Sequence, residues 1–476
     1  MNAQLKPGQV RPFSLLIGGK LVPGASYSDV INPATELPVA SCPRADLAQL
    51  NQAVAAAKAA FPAWSATPLA ERSKLLVKLA DAINAHAEEL VPLLTQEQGK
   101  PLGGAAYEVG GAGAIVRAVS ALKLEPEVMR DNDKAKIVRQ RVPLGVVAAI
   151  TPWNFPVIMM VNKLAPALLA GNTVVVKPAP STPLTSLRLG ELCADIFPAG
   201  VVNVIADNND LGGPLSSHPD VAKISFTGST ATGRKVMSSA APTLKRLTLE
   251  LGGNDAAIVL DDVNPAEIAP KLFFAAMVNS GQVCLAAKRI FVPEKIHDAV
   301  CAELGKLADA AVVGNGLEAN TQFGPVQNRM QFEKVQGIID DARAQGKVIA
   351  GGERHKGPGY FIKPTIVSGL PDSARLVCEE QFGPVMPILK YAKLEDAIAR
   401  ANASEYGLGA TIWSSSTERA LEVAQQLDTG TVWINKHLDL PADIPYGGAK
   451  QSGIGTEQGQ QGLEEYTQTR IINLAK

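Results

Sequence analysis

The chain has few cysteines for its length, five in 476 residues, at Cys42, Cys193, Cys284, Cys301 and Cys378. Their number is odd, they are widely scattered and no two have CxxC spacing, which argues against a disulfide framework or a zinc site. Histidine is equally scarce, and none of His86, His218, His297, His355 or His437 stands in a recognisable hydrolase motif with a cysteine. An excess of one charge is also missing. The formal net charge is -1 with lysines and arginines dispersed, so nucleic acid and anionic membrane surfaces are not expected partners. No run approaches the roughly 18 uninterrupted apolar residues needed to cross a bilayer, and Met1 to Pro12 has no apolar core of signal-peptide length. A soluble, cytoplasmic protein acting on a small molecule is the expectation. No GxGxxG follows a strand: Gly111-Ala112-Gly113 lies in a helical, alanine-rich context and Gly453-Ile454-Gly455 reads as a loop near the C-terminus. Internal repeats, low-complexity tracts and long charge blocks are absent.

What is present is apolar material, 46% of the residues, enough for more than one core. Short apolar runs at 146–150, 173–176, 201–205, 222–226 and 247–250 alternate with helical stretches at 158–170, 185–196 and 232–240. That layout reads as a parallel sheet covered on both faces, which binds ligands at the carboxyl ends of its strands. A second α/β run follows, with strands expected at 256–260, 289–292, 347–350, 385–389, 410–413 and 431–434. The two lobes should meet near Glu250. Upstream, 46–60 and 69–94 read as amphipathic helices that pack on the first sheet and carry no chemistry. Two segments fit neither lobe: 137–142 and 467–473 read as strands at a sheet rim, free or paired with a second chain.

The chemistry-bearing residues are few. Cys284 closes Gly281-Gln282-Val283-Cys284, and Glu250 ends a strand in Leu249-Glu250-Leu251-Gly252-Gly253. A thiol adds to a carbonyl and a carboxylate activates water, so the pair suits an acyl-enzyme cycle. Alone, a free cysteine is more often a buried small hydrophobe, and a strand-end carboxylate can simply cap backbone. Gly228 to Gly233 follows a strand and opens a helix, where backbone N–H groups and a hydroxyl can approach a pyrophosphate, or where Ser229 is an ordinary helix cap.

Taken in order along the chain, Pro152-Trp153-Asn154-Phe155-Pro156, Lys177-Pro178-Ala179, Phe226-Thr227-Gly228-Ser229-Thr230, the glutamate and cysteine motifs, Glu379 to Pro384 and Pro445 to Gly455 resemble the aldehyde dehydrogenase superfamily over nearly the whole chain. The resemblance implies an α/β fold with a Rossmann-type NAD(P)-binding domain (1–123 and 144–251), a second α/β catalytic domain (252–435), and a small β oligomerisation extension with the C-terminal tail (124–143 and 436–476). It makes Cys284 the nucleophile, Glu250 the general base and Asn154 the side-chain donor to an oxyanion that the Cys284 N–H also holds. An aldehyde would be oxidised to the free acid through a thiohemiacetal and a thioester, with hydride passing to NAD or NADP and no metal required. For the cofactor it implies Ile150, Thr151, Trp153, Lys177 at the adenosine ribose, the position of Pro180, Gly228, Ser229 and Gly233 at the phosphates, and Glu380 with Phe382 at the nicotinamide ribose. A homodimer or homotetramer is the implied assembly.

One departure bears on the cofactor. NAD-preferring relatives carry a glutamate three residues after the lysine; here Pro180 stands there, which admits NADP. Phe155, Met159, Asn162, Val283, Leu285, Leu440 and Tyr446 match positions lining the aldehyde entrance. They are mostly apolar, and Asn162 replaces the arginine of relatives that take carboxylated semialdehydes, so a neutral aliphatic or aromatic aldehyde is expected. The rivals are a CoA-acylating semialdehyde dehydrogenase, which Glu250 opposes, a catalytically silent binding protein of the same fold, and a cysteine hydrolase without redox chemistry, which the unplaced histidines oppose.

Overall fold

A computed structural model describes residues 12–476; the N-terminal reading on residues 1–11 lies outside the described residues. The first lobe is built on an eight-stranded sheet. Its centre is parallel, in the spatial order Val202–Val204, Thr173–Lys177, Val146–Ile150, Val221–Thr227, Arg246–Glu250. Val146–Ile150 and Thr173–Lys177 are buried at every residue, which is why they read as continuous apolar runs rather than alternating ones. From Val146–Ile150 the chain winds outward through Thr173–Lys177 to Val202–Val204, then crosses back to lay Val221–Thr227 on the opposite side of Val146–Ile150. This reversal opens a crevice at the carboxyl ends of those strands.

The sheet edges depart from the parallel expectation. Leu15–Ile17 and Lys20–Val22 close one side as an antiparallel pair, and Gly453–Ile454 closes the other. Gly453–Ile454 is therefore a short strand, not the loop its composition indicates. Its backbone bonds the strand that ends in Glu250, pairing Gly453 with that residue.

The expected helix 69–94 is two helices, Leu69–Ala85 and Ala87–Gln98. At the junction His86 has ψ +15°, and its ring Nδ1 lies 2.8 Å from the Ala82 carbonyl, so the side chain competes with the helical ladder. Of the expected upstream helices, Leu47–Ala66 is the one that lies against the strands. Leu69–Ala85 packs on Leu102–Ser120 and Leu184–Ile196 instead, forming an outer helical layer.

The second lobe has a seven-stranded sheet, in the order Lys347–Ala350, Thr365–Ser368, Val385–Tyr391, Ala287–Pro293, Asp255–Val259, Gly409–Trp413, Thr431–Ile434, parallel except for Lys347–Ala350. Separate apolar clusters fill its two faces. Thr365–Ser368 is an addition to the expected strands. The two rim segments pair with each other: Thr467–Ala475 runs antiparallel to Ala135–Pro143 from Thr467↔Pro143 to Ala475↔Ala135, and Glu127–Asp131 completes a three-stranded sheet. Among the described residues no helix is long and apolar enough to cross a membrane.

Four residues, 251–254, join the strand Arg246–Glu250 of the first sheet to Asp255–Val259 of the second. The site sits at this junction.

Candidate active site

Cys284 is held by a loop whose shape few sequences tolerate. Asn279, Ser280 and Gly281 all have positive φ, at 52°, 54° and 70°, strained for the first two. A Cβ on Gly281 would stand 2.2 Å from the Gly383 carbonyl oxygen, so only glycine fits there. Gln282 bolts the loop down: its Oε1 accepts the Gln327 N–H at 2.8 Å and its Nε2 donates to the Asn279 carbonyl at 2.9 Å. Ser280 Oγ donates to the Gly324 carbonyl at 2.7 Å. The motif around the cysteine is thus a fixed pedestal, and Lys288 Nζ adds a bond to the Val283 carbonyl at 2.8 Å and another to that of Cys284.

Burial pushes the Cys284 thiol up to about 12; the Lys288 ammonium opposes this, while Glu380, Glu250 and Asp255 reinforce it. Burial thus favours the thiol over the thiolate. Glu250 is buried, and its Oε1 has no hydrogen-bond partner among the described residues. Burial first, and then the Glu457 carboxylate, raise the Glu250 carboxyl well above its ordinary range against the pull of Lys163. A buried, unpartnered carboxylate of raised basicity beside a thiol is a proton acceptor.

Asn154 is buried, with Nδ2 donating to the Gln282 carbonyl at 3.0 Å. Its own carbonyl receives Lys100 Nζ at 3.0 Å and Asn279 Nδ2 at 3.2 Å. The amide therefore reaches the cysteine loop directly. Lys100, between the helices Ala87–Gln98 and Leu102–Ser120, also forms a buried ion pair with Glu108 and lies 3.9 Å above the Phe155 ring. Glu108 in turn accepts the Val157 N–H at 2.9 Å, so this pair fixes the turn that presents Asn154.

In the crevice of the first sheet, Ile150 and Lys177 are strand ends, and the Thr151 N–H bonds the Lys177 carbonyl at 3.1 Å. Ser229 caps the helix Thr230–Ala240, its Oγ accepting the Thr232 N–H at 3.2 Å, so the capping alternative describes the protein as it stands. The Gly228 N–H goes to the Glu250 carbonyl at 3.0 Å. Gly233 lies so close to Leu251 that a Cβ would stand 2.5 Å from its side chain. Two features fit a dinucleotide: Ser229 leaves this helix N-terminus exposed, and Thr151 Oγ1 is a buried hydroxyl without a partner among the described residues. Across the cleft, Glu380 accepts the Gly253 N–H at 3.0 Å and lies 3.6 Å from Lys288. Phe382, at φ +50°, packs edge-on against Trp153 at 5.2 Å.

Pro180 is not alone at its corner. Lys177 Nζ is bonded to Asp207 Oδ1 at 2.8 Å, so a carboxylate is present next to the lysine although residue 180 lacks one.

Of the residues matched to the aldehyde entrance, Phe155, Val283, Leu285 and Leu440 form one apolar cluster with Leu408, Trp433 and Cys284 itself. Met159 and Asn162 follow Phe155 at helical spacing on Pro156–Leu169. Tyr446 is buried, donates to Glu457 Oε2 at 3.0 Å, and is within the electrostatic reach of both Glu250 and Cys284. Glu457 also pairs with Lys163 in the buried interior. These two residues escape sequence reading, though a lysine inside the otherwise apolar run of 156–169 is a signal that it has a buried partner.

A model of the aldehyde dehydrogenase family matches residues 22–472. Phenylacetaldehyde dehydrogenase of Pseudomonas fluorescens is 40% identical over 500 aligned positions, covering 100% of this chain and 99% of that one. Among solved structures, an NAD+ complex of a Bacillus cereus aldehyde dehydrogenase superposes with a TM-score of 0.96 at 36% identity, covering 100% of both chains. An Escherichia coli NADP-dependent enzyme superposes at 0.94 with 34% identity, covering 97% of this chain and 98% of that one.

Proposed function

The chain belongs to the aldehyde dehydrogenase family and is an NAD(P)-dependent enzyme of aldehyde oxidation, and from that premise we propose that it converts a neutral aldehyde to the free carboxylic acid through covalent intermediates on Cys284. The observation that carries this reading is the convergence of three groups at the junction of two sheets: a thiol on a rigid loop, an unpartnered buried carboxylate within its electrostatic reach, and an amide tied to the same loop. Cys284 loses its thiol proton to solvent and its Sγ adds to the aldehyde carbon. Asn154 Nδ2 and the Cys284 N–H take the charge that develops on the oxygen. A bound dinucleotide supplies the hydride acceptor. The residues that would hold it are Thr151, Lys177, Ser229 and Gly233 on one lobe and Glu380 with Phe382 on the other. Glu250 then removes a proton from water as it attacks the thioester, releasing the acid and the thiol.

Glu250 is the reason for preferring water to CoA as the acyl acceptor. NAD(P)H formation across an aldehyde panel, with and without CoA, tests this: turnover independent of CoA and release of the free acid are expected, and strict dependence on CoA would overturn it. The apolar cluster around Cys284 favours an aliphatic or aromatic body, in keeping with the phenylacetaldehyde-oxidising relative. We place the enzyme in the cytoplasm, where five scattered free cysteines fit a reducing compartment, and we propose a homodimer or homotetramer because Ile471, Ile472 and Leu474 are exposed on the rim strand Thr467–Ala475. Sedimentation velocity measures that directly.

Asn154→Ala should lower kcat by roughly 10²–10³-fold, as for removal of one oxyanion donor elsewhere, with dinucleotide affinity little changed. Steady-state kinetics and a binding titration separate the two. An effect confined to KM would make Asn154 a residue that shapes the turn instead.

A further inference from the structure

In parallel sheets of this kind the ribose hydroxyls of a dinucleotide are read at the end of the strand beside the first one. Here that place is the end of Thr173–Lys177, next to Val146–Ile150. Lys177 ends the strand, and its ammonium is bonded to Asp207, which follows the next strand, Val202–Val204. The second carboxylate oxygen of Asp207 accepts the Leu211 N–H at 2.9 Å. Asp207 is 0% exposed and Lys177 is 4% exposed, so the pair is buried and fixed. Arg44 closes the corner from outside: its guanidinium donates to the Asp207 carbonyl at 3.0 Å, the Pro180 carbonyl at 3.1 Å and Ser28 Oγ at 2.7 Å. Both charged side chains of the pair are thereby committed, and a backbone carbonyl, not a carboxylate, is what residue 180 contributes.

We infer that Asp207, reaching in from the neighbouring strand, makes this enzyme select NAD+ over NADP+. The inference rests on the reading of this crevice as the dinucleotide site. A 2′-hydroxyl needs no counter-charge. A 2′-phosphate does, and at this corner the Lys177 charge is already compensated by Asp207 while the Arg44 guanidinium is taken up by two carbonyls and a hydroxyl. A site that offers a phosphate no free counter-charge favours the near-identical ligand that needs none. Pro180 alone would leave NADP+ admissible; Asp207 removes that freedom.

The test is a binding titration of NAD+ and NADP+ followed by intrinsic fluorescence, in protein carrying Cys284→Ala so that no turnover intervenes. With Asp207 intact, NAD+ should bind at least about tenfold more tightly, the scale set by one missing charge pair to the 2′-phosphate. Asp207→Asn keeps the shape, frees the Lys177 ammonium and should move the ratio of dissociation constants toward NADP+ by about tenfold or more, with a gain that salt weakens. Adding Lys177→Met to Asp207→Asn removes the freed cation and should cancel most of that gain. Equal affinity for the two cofactors with Asp207 intact overturns the inference even if Asp207→Asn fails to fold. So does an unchanged ratio in a folded Asp207→Asn protein. Absence of saturable binding of either cofactor in any of the proteins would instead overturn the reading of the crevice.

Discussion

Cys284→Ala should abolish aldehyde oxidation, a loss on the order of 10⁴-fold or more as for other covalent nucleophiles, and leave dinucleotide binding close to that of the unaltered protein. The thiol is the atom that bonds substrate, so no neighbour can substitute for it. Its removal should not disturb the crevice, because the loop is held by Gln282, Ser280 and backbone carbonyls rather than by the sulfur. The other cysteines provide the control. Cys42 and Cys193 are buried, with burial pushing each thiol up to about 12. Cys301 is buried on the helix Glu294–Ala310, and Cys378 is exposed on the surface. Alanine at any of these four should retain the chemistry, with a packing cost at the three buried positions. NAD(P)H formation and a cofactor titration on each variant are the measurements. Turnover near that of the unaltered protein in Cys284→Ala would remove the covalent mechanism altogether.

The residues proposed for the covalent chemistry are legible because they lie in short runs whose local geometry is peculiar. Gly281 can be nothing else at φ +70° beside Gly383, and Glu250 ends a strand, so both leave marks in the sequence. The central strands were legible for a different reason: burial on both faces makes Val146–Ile150 and Thr173–Lys177 unbroken apolar runs. Strands of two or three residues at the sheet edge, such as Gly453–Ile454 and Lys20–Val22, are too short to show any period. Gly453–Ile454 depends besides on a partner strand far away in the chain, Arg246–Glu250. The same limit hid the charged partners. Lys163 and Glu457 are 294 residues apart, and Lys177 and Asp207 are 30 apart, one at a strand end and the other beyond the next strand; neither spacing is a pattern that a linear reading can detect. The departure at Pro180 is visible in the sequence, whereas the Asp207 carboxylate bonded to Lys177 beside it is not.

Glu250→Gln should slow turnover by roughly 10²–10⁴-fold, the range for loss of a general base, and slow it at thioester hydrolysis. A first-turnover burst of NAD(P)H should therefore survive, since formation of the thioester does not need water to be activated. The pH dependence follows from the electrostatics. Burial and the Glu457 charge favour the protonated form of Glu250 and raise its carboxyl above the ordinary range. Only the carboxylate can accept a proton, so hydrolysis should fall as pH drops through that raised value and grow as pH rises above it. The amide of glutamine does not titrate, so this limb should vanish in Glu250→Gln. In Glu457→Gln, which removes a neighbouring negative charge and leaves Lys163 uncompensated, the limb should shift to lower pH. Rapid mixing across a pH series resolves the burst from the steady state, and hydroxylamine, a nucleophile that needs no base, should restore turnover in Glu250→Gln by cleaving the accumulated thioester. If the burst disappears together with the steady state and hydroxylamine restores nothing, Glu250 acts before the thioester forms, and the proton it accepts is that of the Cys284 thiol rather than of water.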